Sequence, residues 1–438
     1  MRLQIARRLA PEVPSFPWKS FVVASLGFTL TVGALTGAID LWNMRVVLKA
    51  VPIDHHRGHA FAQVFGFLGL FTMGVSLQLA PRFFGAAPAT LLRRRVMAWS
   101  GIIGVLFLVM GRLGALVPGA PLFSVSGAAL VLVAMSGWLG LIVGFWRTPF
   151  TPSGVEGGAF RDTLHRFLLA GVTWWWLAAA VLLAWTVGQA LGGPLVFIPL
   201  ESVYAMALFG GTGSWLWGIF LRAGICTLHV KRPAEQAQLR LFIVWQVAAA
   251  LAVSAPWFDV TWVSAVQQLG AALAVAWLWW TVRPFSGDGL GVEGSLAPRA
   301  VQAGLTFLAV FGVLSLWSGL AELGLWAPPL LRDATRHAYT LGVTLLVLGF
   351  AGRMVPGFSG KTLKWPGAYD AGVLALIASA SLRLCELFSM TRAGLALSGA
   401  SGGLAFVGMT LVTASLIGSM RWRLARPDAR DAPSAQAA

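Results

Sequence analysis

Charge is what this chain has least of. Asp, Glu, Lys and Arg together make up 11% of its 438 residues, against about 25% in an ordinary soluble domain. Acidic residues are scarcer still, 16 against 32 basic ones. Cysteine occurs twice, at Cys226 and Cys385. Those two are read at opposite ends of apolar segments, too far apart for a bridge, and two thiols build neither a disulfide framework nor a thiolate metal cage. No glycine-rich phosphate loop, HExxH pattern or nucleophile–base pair occurs, so soluble hydrolase and nucleotide chemistries have no support.

What fills the space is apolar. Hydrophobic residues reach 57% and the mean hydropathy is +0.76, the composition of an integral membrane protein. Runs of about 20 apolar residues, enough to cross a bilayer, are read at 20–42, 59–81, 96–117, 122–146, 167–190, 200–222, 241–256, 260–282, 300–321, 335–355, 370–390 and 396–420. The expectation is an all-α membrane domain over 20–420, of about twelve helices, between a cytoplasmic segment 1–19 and a disordered cytoplasmic tail 421–438. The first run follows Arg2, Arg7, Arg8 and Lys19 but is too long for a signal-peptide core, so it is read as a retained helix.

A net charge of +16 invites a nucleic-acid reading, and the position of the charges argues against it. With the N-terminus inside, 24 of the 32 basic residues fall on the inner side, a strong positive-inside bias. Both termini are expected in the cytoplasm, with the excess charge setting topology and meeting anionic lipid heads.

Three segments share a register: "MGVSLQLAPRFFG" (73–85), "WGIFLRAGICTLH" (217–229) and "LGFAGRMVPGFSG" (348–360). Gly74, Gly218 and Gly349 correspond, as do Gln78, Arg222 and Arg353; Pro81 matches Pro356, Phe83 matches Phe358 and Gly85 matches Gly360. The segments end the second, sixth and tenth runs, which gives a period of four helices and three four-helix units about a pseudo-threefold axis. The competing reading is that Gly, Arg and Pro simply punctuate helix exits.

The same register places two histidines. His59 lies 15 residues before Gly74 and His337 lies 12 before Gly349, a difference in depth of about 4.5 Å at 1.5 Å per residue. Ionisable groups in membrane segments are usually functional, and two imidazoles facing each other across an apolar slot suit the iron of a haem. His55 and His56, with Asp54, are candidates for copper or zinc, although adjacent loop histidines are more often plain exposed polar groups. His165 and His229 read as solvated. Arg112 and Arg383 could hold haem propionates, or Arg383 could pair with Glu386 on one helix face. Trp174, Trp175, Trp176, Trp279 and Trp280 read mostly as lipid-facing or interfacial.

"HAFAQVFGF" (59–67) resembles the His-Ala-His-Glu-x-x-Phe-Gly-Phe motif of the NnrS family, and "HAYTLG" (337–342), followed by Arg353 and "GFSGKTL" (357–363), resembles that family's second signature. The resemblance implies a twelve-helix bacterial inner-membrane protein containing b-type haem and copper and acting in nitric-oxide stress. His59 and His337 carry over; the family's second His and its Glu are Phe61 and Ala62 here, which removes that metal pair.

The same segments resemble subunit I of haem-copper oxidases and nitric-oxide reductases, implying three four-helix arcs with His59 as an axial ligand of a low-spin haem. The sixth helix offers "LESVY" (200–204) with Leu200 where the resemblance calls for a copper-ligating His, and no His occurs from 230 to 336. The oxidase architecture is therefore expected without its haem-copper binuclear centre. Three functions stay open: haem-mediated binding of nitric oxide or electron transfer, a quinol-oxidising nitric-oxide reductase drawing on His55, His56, Glu201, Tyr204 and Tyr339, and a transporter with structural histidines. None involves nucleic acid.

Overall fold

The computed structural model describes residues 16–84, 86–113, 119–147, 158–192, 197–258, 260–287, 296–325, 332–384 and 391–420. The segment 421–438, Cys385 and Glu386 lie outside the described residues, and so does most of the segment 1–19. Among the described residues there is no strand. In a hydrocarbon environment every backbone polar group must find its partner inside the chain, and helices do this locally.

Ten helices are long and apolar enough to cross a membrane. Two further helical rods, Leu200 to Leu228 and Pro366–Leu384, complete twelve among the described residues. They are less apolar for visible reasons: the first is rich in Gly, Ser and Thr, and the second carries Asp370 and Arg383. In chain order the rods are α1 (segments Phe16–Phe28, Thr29–Leu35, Thr36–Trp42 and Asn43–Val47), α2 (Ile53–Phe84), α3 (Leu91–Leu113), α4 (Ala120–Arg147), α5 (Gly158–Leu191) and α6 (Leu200–Ala205 through Ile225–Leu228). They continue as α7 (Glu235–Ser254), α8 (Thr261–Val282), α9 (Ala297–Glu322), α10 (Arg332–Phe358), α11 (Pro366–Leu384) and α12 (Arg392–Ser419).

Several boundaries differ from the hydropathy reading. The seventh helix starts at Glu235, six residues earlier than expected, and Pro256 sits in a short 3-10 turn, Ala255–Trp257, beyond its end. Charged residues at helix ends lower local hydropathy without stopping the helix, because the ends lie where side chains reach water.

Neighbours in sequence pack side by side, and α12 closes on α1. The middle of the bundle is held by α2, α6 and α10, which together line a narrow apolar cavity bounded by Phe71, Val75, Trp215, Ile219, Phe350 and Met354. Phe209 of α6 stacks on Tyr339 of α10 with ring centroids 4.4 Å apart, and Phe220 meets Phe350 at 5.9 Å. Arg222 of α6 lies over Phe83 of α2 and Arg82 of α2 over Phe358 of α10.

The repeat seen in the sequence has a packing cause. A Cβ added at Gly74 would come within 3.2 Å of the Trp18 carbonyl on α1, at Gly218 within 3.5 Å of the Leu164 carbonyl on α5, and at Gly349 within 3.0 Å of the Ala297 carbonyl on α9. Each aligned glycine is thus the point where a central helix touches the backbone of the helix before it, the use small residues have in membrane bundles. Pro81 and Pro356 both lie inside the final turns of their helices, where each lacks the N–H that would bond the carbonyl four residues back and so marks the approach of the helix end.

The tryptophan reading needs correction. Trp175 is fully buried, its ring packed against the glycine faces of Gly69 and Gly211. Trp174 donates to Gln246 at 2.8 Å, Trp176 to Ser136 at 3.0 Å and Trp279 to the Leu305 carbonyl at 3.1 Å while staying partly exposed, and Trp280 is 72% exposed. His165 is also buried rather than solvated, its ring 4.2 Å from that of Phe84, whereas His229 is exposed at a left-handed helix end.

Gly349→Val should lower the thermal midpoint of the detergent-solubilised chain by an amount corresponding to about 1–3 kcal/mol of overpacking. Gly403→Ala, where no atom lies within 4 Å of the added Cβ, should leave it unchanged; equal midpoints for both variants would remove the glycine contact as the cause of the repeat.

Candidate functional site: a histidine pair in the cleft beside α1

His55, His56 and His59 are not in a loop: they occupy the helical segment Ile53–Phe61 at the start of α2. Immediately afterwards α2 widens into π-type turns over Ala62–Gly69. α6 widens at Met206–Gly213, the same place in the repeat, while α10 stays α-helical from His337 to Gly349. A π turn takes in more residues than an α turn, so the 15 residues from His59 to Gly74 climb less than regular spacing allows. The gap in depth between His59 and His337 read from the sequence therefore narrows.

His337 lies within electrostatic range of His59, as do Asp40 and His56, and both imidazoles are partly buried. The His59 ring lies against α1, where Nδ1 is 2.8 Å from the Gly33 carbonyl oxygen. A carbonyl only accepts, so Nδ1 carries the proton and Nε2 keeps its lone pair. This is the tautomer that histidine ligands adopt when a backbone carbonyl orients them.

Residues of α1 that hydropathy does not single out build the cradle. A Cβ at Gly37 would sit 2.6 Å from His59 Cε1, and one at Gly33 would sit 2.6 Å from the Gln63 amide. Gln63 in turn accepts from Thr29 at 2.9 Å. Gly33 and Gly37 form a G-x-x-x-G step in "GALTG", a spacing that marks close helix approach and could have been read in advance. Helix α12 reaches the same stretch, since a Cβ at Gly402 would sit 2.8 Å from the Ala38 Cα.

Asp40 lies one turn further along α1, 4% exposed. His55 Nδ1 is 3.7 Å and His56 Nδ1 3.9 Å from its carboxylate oxygens. Asp54, the expected third member of a copper or zinc site, is instead engaged by Arg57 at 3.3 Å and Arg112 at 3.5 Å. Among the described residues no three His, Cys, Asp or Glu side chains form a group suited to a metal ion. The carboxylate beside His55 and His56 is thus Asp40, not Asp54.

Arg383 is 4% exposed in α11 and donates to Ser398 of α12 at 2.7 Å. It belongs to the α11–α12–α1 side of the bundle, the side that His59 faces. Arg112 belongs elsewhere: its guanidinium lies 4.6 Å from the Trp185 ring centroid, on the opposite face of α2. Of the other residues considered for a reductase, Tyr339 donates to the Leu208 carbonyl at 3.0 Å, Tyr204 packs on Phe61 and Glu201 is exposed.

The chain matches no family model and no curated protein at a significant level.

Gly37→Val should displace the His59 ring and break its bond to the Gly33 carbonyl, at a cost of about 1–3 kcal/mol. Thermal unfolding of the purified chain measures this, with Gly27→Ala, which has open space around the new Cβ, as the matched control. A Gly37→Val protein as stable as that control would show that the ring is not held there.

Proposed function

We propose that the chain is a haem-binding protein of NnrS type in the bacterial inner membrane. In this reading it has twelve spans in three four-helix arcs, both termini inside, and serves in the response to nitric oxide through gas binding or electron transfer. The observation that carries the reading is the His59 tautomer. Its Nδ1–H is directed at Gly33, which leaves Nε2 available to a metal, and His337 of α10 is near enough to act on it electrostatically.

The side chains present are of the types that hold haem. Gly33 and Gly37 leave room on α1 for Gln63 and the His59 ring, His59 and His337 would supply nitrogens to an iron, and Arg383 would be a buried cation for a propionate. When bound, haem would supply an iron able to change oxidation state and to take a diatomic gas. The chain's own part is to hold the His59 ring at a fixed angle, to keep its proton on Nδ1 and to exclude water with α12. Copper at His55 and His56 forms no part of this reading.

Reduced-minus-oxidised visible spectra of the protein purified from haem-replete cells, before and after nitric oxide, test it. A sharp low-spin signal that ignores the gas is expected if both histidines ligate one iron, and a shifting signal if one position is open. His59→Ala should abolish or shift the signal while the protein still inserts. An unchanged spectrum in both His59→Ala and His337→Ala would sink the ligand assignment, and no Soret absorption at all would favour a transporter.

A further inference from the structure

Helix α10 ends in a tight cap. Lys361 N–H reaches the Pro356 carbonyl at 3.0 Å, Gly360 N–H reaches Gly357 at 3.1 Å, and Gly360 has φ +63°. This is the Schellman arrangement, with glycine at the left-handed position. It throws the chain sideways across the end of α12, where Lys364 N–H is held by Ser419 Oγ at 3.0 Å. Lys361, Thr362 and Lys364 with Gly418 and Ser419 then wall a shallow, open cleft.

Lys19, in the first turn of α1, faces the same corner. It is 9% exposed, and its neighbour Trp18 meets Phe358 of α10 edge-on at 5.5 Å. Its nearest charged influence is Lys361, a like charge. Among the described residues no carboxylate lies within ion-pair distance of Lys19, Lys361 or Lys364; Asp370, on the next helix, accepts the Leu296 N–H at 2.8 Å.

That arrangement is unfavourable by itself. Among the described residues Lys19 is a buried cation without a counter-charge, which costs it hydration, and Lys361 repels it. An anion in the cleft offsets both penalties. Lysine acts on phosphate as a point charge, and the half-exposed Trp365, with Lys364 Nζ 4.0 Å from its ring centroid, is the residue type that lies at headgroup depth.

We propose that Lys19, Lys361 and Lys364 form a phosphate-binding site that holds the headgroup of an anionic phospholipid. The site is independent of the histidine pair, and its test does not involve haem. The full-length chain is delipidated in detergent and examined by native mass spectrometry and thermal unfolding with phosphatidylglycerol, phosphatidylcholine or inorganic phosphate. The expected result is retention of phosphatidylglycerol, a rise in midpoint with that lipid alone, and an apparent affinity on the order of tenfold weaker in the Lys361→Ala/Lys364→Ala variant. Lys231→Ala, an exposed cation away from the cleft, should behave as the parent. Equal stabilisation by phosphatidylcholine, or an unaltered response in the double variant, overturns the site. Equal stabilisation by inorganic phosphate overturns the lipid and leaves free phosphate as the ligand. Both substitutions are at exposed positions, so folding of the variant is checked simply by its elution profile and its midpoint without lipid.

Discussion

An apolar helix bundle has to satisfy its backbone carbonyls from within, and where helices widen into π turns the carbonyls that shift become places for side chains to bind. This constraint links the main features of the molecule. The Gly33 carbonyl, in the wide segment of α1, holds His59. The Leu208 and Phe209 carbonyls, in the wide segment of α6, hold Tyr339 at 3.0 Å and Trp245 at 3.0 Å. Such bonds fix ring orientations, and orientation is what separates a ligand from an interfacial polar group.

Close approach is the second half of the same constraint. Glycine at 74, 218 and 349 lets each central helix touch the backbone of its predecessor. Around α1 the same device is turned to a different use: Gly33 and Gly37 clear space for side chains of α2 instead of for its backbone. The first unit of the repeat thus differs from the other two at the one place where a histidine has to lie flat.

The two ends of the bundle divide the electrostatic work. Near the histidines, charges come in compensated groups, such as Asp54 between Arg57 and Arg112 and Asp40 beside His55 and His56. At the other end Lys19, Lys361 and Lys364 share a corner with no described carboxylate in reach. A membrane surface can supply the missing charge there, whereas the interior has to carry its own.

Hydropathy alone determined that the chain is helical and apolar enough to cross a membrane many times, because burial of a whole helix in lipid is a property of about 20 consecutive residues. The glycine register also announced the repeat, since close approach leaves a local mark. Pairing was different. That His59 lies against Gly33, that Asp54 turns to Arg57 and Arg112 rather than to His55, and that His165 and Trp175 are buried all depend on which helix faces which. The widening of α2, which draws His59 toward the depth of His337, has no signature in "AQVFGFLG". These were decided only by tertiary structure, because a side chain's partner in a bundle is set by the rotation and spacing of helices far apart in the chain.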